Sequence, residues 1–237
     1  MPELHFYFDP VCPFAWMTSK WVREVARQRS MVVEWRFISL RLVNADVDYS
    51  THFPAGYERS HTAGLELLRV AAAARRAHGP AVVAPFYEAV GAAIFESPSG
   101  GQAELQAGTA PFVRPLLAAV GLPPSLADDA LSTELDAELR AETEEALSLA
   151  GRDIGTPVLH FDPPGGTALF GPVISRLPSA SQAVELWEHV VALSRFPGFA
   201  ELKRSLRETP QLPAFGVAPG GVGELEDWQQ GHRRESV

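Results

Sequence analysis

The chain opens as a strand–helix–strand unit, breaks off into a long helical block, and returns to strands only near residue 156. Residues 3–8 hold the apolar and aromatic run Leu4-His5-Phe6-Tyr7-Phe8, closed by the turn signal Asp9-Pro10, and read as a buried strand. From Phe14 to about Arg29, Trp16, Trp21, Val22, Val25 and Ala26 recur at spacings that line one helix face. Pro13 falls in the first turn, where a missing N–H costs nothing because that group has no partner anyway. Residues 31–38 read as a second strand. Between His61 and Ala150 the chain turns rich in Ala, Leu and Glu. Helices are expected over Gly64–His78, Ala81–Phe95, Phe112–Val120, Pro124–Ser132 and Leu135–Ala150, with a loop marked by Pro98 and Gly100-Gly101. Thr156–Phe161 reads as a strand, Asp162–Gly166 as a turn, Thr167–Phe170 as the hairpin partner and Ser181–Leu193 as an amphipathic helix. Strands at both ends can share one sheet only if the helical block is spliced into its middle. The expected organisation is therefore an α/β domain of residues 1–60 and 151–209, a helical insertion over 61–150, and a flexible tail over 210–237, where Pro, Gly and charge dominate. No internal repeat is present.

A chain of 237 residues, 46% of them hydrophobic, can bury a sizeable core as one domain with a large insertion or as two small domains. The net charge of −9 argues against a nucleic-acid partner, since neutralising phosphates needs clustered Lys and Arg. No apolar run approaches the roughly 20 residues that span a bilayer, so no membrane partner is expected. The N-terminus lacks the basic start and long apolar run of a secretory leader, which makes a cytoplasmic protein the expectation. The single cysteine excludes an internal disulfide and a zinc site built on cysteines. The histidines show no metal-ligand spacing, and no metal is expected. Of the 20 Lys and Arg residues only Lys20 and Lys203 are Lys, which with many Ala, Gly and Pro points to a GC-rich genome such as an actinobacterium's.

Cys12 is the leading candidate for chemistry. It precedes a helix, so amide N–H groups and the positive end of the helix dipole would face its sulfur. Such surroundings lower a thiol's pKa and raise the fraction of thiolate, the nucleophilic form. A lone cysteine is equally compatible with a buried structural role. Thr156-Pro157 is the second candidate, because proline is confined to strand starts and edges. A cis bond there would turn the Thr156 backbone groups outward, but only about 5–6% of such bonds are cis, so taken alone the position reads as trans. Phe14 and Trp16 flank the cysteine and either wall an aromatic substrate pocket or pack in the core, where aromatics dominate. Asn44 follows the second strand and is either a site residue or a loop residue. Arg41 suits bidentate recognition of a carboxylate, or is simply a solvated surface group. Gly220-Gly221-Val222-Gly223 does not follow a strand and is no phosphate loop. Glu134–Glu145 alternates with Leu and Ala as a solvated helix face does.

Together these residues resemble a known family. Phe8-Asp9-Pro10-Val11-Cys12-Pro13-Phe14-Ala15-Trp16, with Gly155-Thr156-Pro157 and Phe170-Gly171-Pro172-Val173, is similar to the DsbA-like branch of the thioredoxin superfamily, and within it to the actinobacterial mycothiol-dependent nitroreductases. The similarity runs from about residue 4 to residue 210 and includes Thr18-Ser19-Lys20-Trp21 and Phe199–Arg204. The resemblance implies a thioredoxin fold with a large all-helical insertion. It implies that Cys12 is the attacking cysteine, with Pro13 behind it, and that Pro157 is a cis-proline bringing the Thr156 backbone close to the sulfur. It places Phe14, Ala15, Trp16, Asn44 and Gly155 around a bound thiol or substrate. The implied cofactor is a low-molecular-weight thiol, mycothiol or glutathione. Its partners would be a small organic or disulfide substrate, and relatives of this kind often form homodimers.

One departure matters. The family's redox motif is Cys-Pro-aromatic-Cys, and Ala15 stands where the second cysteine belongs. A mixed disulfide on Cys12 would then be resolved by an external thiol, as in a monothiol cycle. The resemblance also extends to the kappa-class glutathione transferases and the 2-hydroxychromene-2-carboxylate isomerases, which share the insertion and act without a resolving cysteine. A thiol-dependent oxidoreductase is the first expectation, a transferase or isomerase the second, and a non-catalytic binding protein that kept the fold the third.

Overall fold

A computed structural model describes residues 2–98, 103, 106–204, 206–229 and 232–233. The loop expected at Gly100-Gly101 lies outside the described residues. The central sheet has four strands in the order β2-β1-β3-β4: β1 Leu4–Phe8, β2 Val33–Phe37, β3 Val158–Phe161 and β4 Ala168–Phe170. β1 runs parallel to β2 and antiparallel to β3, and β4 continues antiparallel to β3. The N-terminal unit and the C-terminal hairpin thus form one sheet, as the interrupted pattern requires.

Alternation along β1 separates two environments. Leu4, Phe6 and Phe8 join Trp35, Phe37, Leu159 and Phe161 in the main core. This face is covered by α1, Pro13–Arg29, whose Met17, Trp21, Val22 and Val25 are buried, and by the helix Ala180–Arg195, which meets α1 through the rings of Trp21 and Trp187. The helical block is contiguous with this core. Tyr87, on the helix Val83–Phe95, stacks on Phe8 with ring centroids 3.8 Å apart. Gly91 of the same helix is needed because a Cβ there would collide with the Trp16 ring.

Tyr7 and Val158 point to the opposite face, where they pack with Ala146 and Leu147. Those residues belong to the helix Asp136–Ala150, grouped with the insertion on composition alone. The structure lays its C-terminal half across the back of the sheet, because buried Ala146 and Leu147 need an apolar surface, while Leu139 joins the main core. Pro124–Leu131, expected as an α-helix, is a 3₁₀ helix, consistent with its Pro123-Pro124 start and with Asp128-Asp129 in its middle. Short helices at Leu40–Val43 and Tyr49–His52 were not anticipated, being only single turns.

Residues 210–237, expected as a flexible tail, contain strands that pair with one just before them. β5 Leu206–Glu208, β6 Leu225–Gln229 and β7 His232–Arg233 make a three-stranded sheet, with Pro213–Phe215 as a 3₁₀ turn between its first two strands. Pro and Gly disguise the strands because they crowd the connection rather than the strands themselves. No helix among the described residues is long and apolar enough to cross a membrane.

Candidate active site

β1 delivers the chain to Asp9, and a tight turn through Pro10 and Val11 places Cys12 at the N-cap of α1, where the Cys12 amide bonds the Asp9 carbonyl. Cys12 keeps extended backbone angles, φ −84° and ψ 115°, while Pro13 begins the helix. With the N-cap taken by cysteine, the Ala15 N–H donates to the Cys12 sulfur at 3.4 Å. The thiol itself donates to the Thr156 carbonyl at 3.5 Å, linking the first strand–helix junction to the entrance of β3.

The Thr156–Pro157 bond is cis. Thr156 is fixed on its other side by its hydroxyl, which donates to the Tyr7 carbonyl at 3.2 Å. The Pro157 carbonyl accepts from the Gly171 N–H at 2.8 Å, so β4 braces the same dipeptide. Gly155, half-buried, faces Leu40.

Electrostatically the thiol differs from the sequence expectation. Cys12 is only 8% exposed, and burial pushes its pKa up to about 12. The Ala15 and Phe14 amides and the Arg207 guanidinium pull it down, while the Asp9 charge pushes it further up. Helix-end stabilisation is present but smaller than the loss of hydration, and in this closed arrangement the sulfur is a protonated donor. Asp9 is wholly buried. Its two carboxylate oxygens accept from the Val11 N–H at 3.1 Å and the Leu40 N–H at 2.7 Å. Burial nevertheless pushes its pKa up to about 7. Gly64 of the helix Tyr57–His78 lies so close that a Cβ would strike the Asp9 carboxylate and Val11.

The remaining predicted residues divide. Ala15 is fully buried under the sulfur. Phe14 is half-buried against the core. Trp16 is core rather than pocket wall: it is 3% exposed, lies edge-on to Tyr87 and parallel to Phe95, and donates its indole N–H to Glu96 at 2.9 Å. Asn44 caps the turn Leu40–Val43, spending its side-chain amide on the Leu40 carbonyl at 2.8 Å. Arg41 pairs with Glu58 at 3.5 Å and lies over the Tyr49 ring. Sequence reasoning passed over Asp9 as a mere turn signal. Its place between a strand and a pre-helical cysteine was the available clue. It also passed over Tyr87, which packs on Phe8 and Trp16 and carried no local clue. A depression of about 360 Å³ between Arg69, Ala73, Leu126 and Leu135 lies in the helical block and includes none of these residues. Among the described residues there is no cluster of three metal-ligating side chains.

A family model described as Rv2466c-like, mycothiol-dependent nitroreductase Rv2466c, matches residues 11–204, from just before Cys12 to the end of the irregular stretch after the last long helix. The chain belongs to the Rv2466c-like family. Another protein similar to this chain is "Uncharacterized protein Rv2286c" of Mycobacterium tuberculosis (strain ATCC 25618 / H37Rv), 33% identical over 216 residues, which cover 90% of this chain and 84% of that one. Among solved structures, a putative protein disulfide isomerase from Nitrosomonas europaea superposes with a TM-score of 0.51 at 16% identity, covering 79% of this chain and 97% of that one. A 2-hydroxychromene-2-carboxylate isomerase superposes with a TM-score of 0.47 at 18% identity, covering 81% and 96%. With the sheet order, the family match and the first of these superpositions, the fold is thioredoxin-like with a large helical insertion, as the resemblance implied. Membership of the Rv2466c-like family supports thiol-dependent redox chemistry with a low-molecular-weight thiol.

Proposed function

We propose that the chain is a monothiol oxidoreductase whose single reactive sulfur, Cys12, exchanges disulfides with mycothiol or a similar small thiol and so reduces a small organic or disulfide substrate. One observation carries the reading. The chain's only cysteine caps a helix beside the cis Thr156–Pro157 peptide, with Ala15 where a resolving thiol would stand. The residues fit a sulfur compound, because the site offers one thiol, a backbone carbonyl and a helix-end amide.

The balance is that of thiol–disulfide exchange. Cys12 loses its proton and attacks one sulfur of a disulfide; a Cys12–sulfur bond forms as the old disulfide bond breaks and the second sulfur leaves as a thiolate. With no neighbouring cysteine, Cys12 is released when a second small thiolate attacks the mixed disulfide, taking its sulfur partner away as a new disulfide. One small thiol has entered and one substrate thiol has left, with the disulfide bond passed on. A second round of the same exchange frees the other half of the substrate, so that over both rounds two small thiols become one disulfide and the substrate disulfide gains two electrons and two protons. This chemistry belongs in a reducing compartment, and we place the protein in the cytoplasm, in an actinobacterium. The thiol held protonated by burial favours a second reading, in which Cys12 only orients a bound thiol cofactor for transferase or isomerase work.

The test is intact-mass measurement of the wild type and Cys12→Ser after exposure to mycothiol disulfide and, separately, glutathione disulfide. A single adduct on the wild type, removed by excess free thiol and missing in Cys12→Ser, is expected. Thiol-dependent turnover that survives Cys12→Ser, with no adduct on the wild type, sinks the oxidoreductase reading in favour of the second.

A further inference from the structure

On α1, Thr18 lies three and four residues before Trp21 and Val22, on the face that packs into the core, and it is itself fully buried. That face calls for an apolar residue. A threonine inside a helix can turn its oxygen back to the carbonyl four residues earlier. The Thr18 hydroxyl instead leaves the helix and donates to the Pro172 carbonyl at 2.8 Å, on the segment that follows β4. A buried hydroxyl spent on a carbonyl of another element ties the two together, because either group left alone would be desolvated without a partner.

This tie closes a ring of hydrogen bonds that begins and ends on α1. The residue before Pro172 is Gly171, whose N–H donates to the Pro157 carbonyl at 2.8 Å. Gly171 does so at φ +88°, a conformation that other residues rarely adopt. The residue before Pro157 is Thr156, whose carbonyl accepts from the Cys12 thiol at 3.5 Å. Cys12 caps the helix that carries Thr18, about 9 Å away along its axis. The Thr156 side chain is anchored separately, its hydroxyl donating to the Tyr7 carbonyl at 3.2 Å. The Thr156–Pro157 dipeptide is thus held from one side by β1 and from the other by α1, through Gly171 and Pro172. One rigid helix supplies both the sulfur and the clamp on its acceptor.

We propose that Thr18 is a positioning residue of the Cys12 site: through Pro172 and Gly171 its hydroxyl holds the Thr156 carbonyl where that carbonyl accepts the hydrogen bond of the Cys12 thiol. A hydrogen bond made by the neutral thiol favours the protonated form, so the same clamp sets how readily Cys12 becomes a thiolate. The consequence for disulfide exchange rests on the reading of Cys12 as a nucleophile. The placement of the carbonyl does not.

The test uses the full chain without any added thiol. Cys12 is the only cysteine, so the infrared S–H stretching band belongs to it alone, and Cys12→Ser supplies the blank. The band is recorded in the wild type, Thr18→Val and Thr18→Ser, and iodoacetamide alkylation of Cys12 is followed on the same samples. Thr18→Val keeps the branched shape and removes the donor. It is expected to move the band to higher wavenumber, as a weakened S–H···O bond requires. It is also expected to speed alkylation about threefold at fixed pH, equal to a titration midpoint lowered by about half a unit. Thr18→Ser keeps the hydroxyl and is expected to leave both readings close to wild type. Should Thr18→Val fold poorly, Thr18→Ala removes the same donor without added bulk and is expected to shift the band in the same direction. An unmoved band in the variants that lack the hydroxyl, or equal shifts for Val and Ser, overturns the proposal. A band that follows the hydroxyl while Cys12 takes no thiol adduct keeps Thr18 in its role and removes the monothiol reading instead.

Discussion

At the end of β1, Asp9 is completely buried, but each of its carboxylate oxygens takes a backbone amide. Four residues earlier on the same strand, His5 lies edge-on to His160 with ring centroids 5.6 Å apart, beneath the helix Asp136–Ala150. His5 Nδ1 and both ring nitrogens of His160 have no hydrogen-bond partner among the described residues. The two regions share one strand and are opposite in strategy. Asp9 is held by fixed main-chain donors, so it can carry charge at a cost. The histidine pair is stable only while neutral, with Glu34 3.6 Å from His5 and the Arg36–Glu145 pair on the same face. Polar groups in a core survive by being bonded or by being uncharged, and this sheet uses one device on each side.

The largest effect should come from removing the packing that seats the Cys12 region. Trp16→Ala is expected to destabilise the fold by about 3–5 kcal/mol in denaturant melts, since it opens a cavity against Tyr87 and Phe95. A loss under about 1 kcal/mol would mean that Trp16 faces a solvent-filled pocket after all. Next is Asp9→Ala, which leaves the Val11 and Leu40 amides without acceptors and is expected to cost about 2–4 kcal/mol. Asp9→Asn should cost less and should lower the Cys12 midpoint, because the opposing charge is gone.

The two regions should then separate by pH. Asp9 has a folded pKa of about 7, above its unfolded value, so its contribution is fully present below about pH 4 and is lost as pH rises towards 7. Burial lowers His5 and His160, and takes His61 down to about 4, so their contribution is present above about pH 6.5 and is lost as pH falls. Stability measured from pH 4 to 8 is therefore a sum of opposing slopes. Asp9→Asn should remove the falling component and His160→Phe should flatten the acid limb. If neither substitution changes the profile's shape, the contrast between the faces is wrong. The smallest effect is expected for Arg41→Ala, under about 1 kcal/mol and with no change in Cys12 alkylation, because its pair with Glu58 is a surface one.

Much of this architecture was legible because it rests on short-range rules. Alternation in Leu4–Phe8, the helical spacing of Trp16, Trp21, Val22 and Val25, and the turn at Asp162–Gly166 set the central strands and the first helix to within about two residues, whereas the helix expected over Gly64–His78 begins at Tyr57. The place of Cys12 at a strand–helix junction followed from the same pattern. The helix Asp136–Ala150 was legible as a helix but not as the back layer of the sheet, since an amphipathic face does not name the surface that covers it. Asp9 was read as a turn residue because the Leu40 amide that gives it a second partner is brought there only by folding.

The amino-acid sequence by itself determined the order of elements, the lone cysteine at the first strand–helix junction and the alanine three residues after it. Those are properties of local spacing and of covalent composition. The tertiary structure alone decided how that thiol behaves. Burial outweighs the helix end and keeps the sulfur protonated, while the Thr156 carbonyl that accepts from it comes from a remote part of the chain. Charge and desolvation depend on distances through space, and no local pattern of residues encodes those.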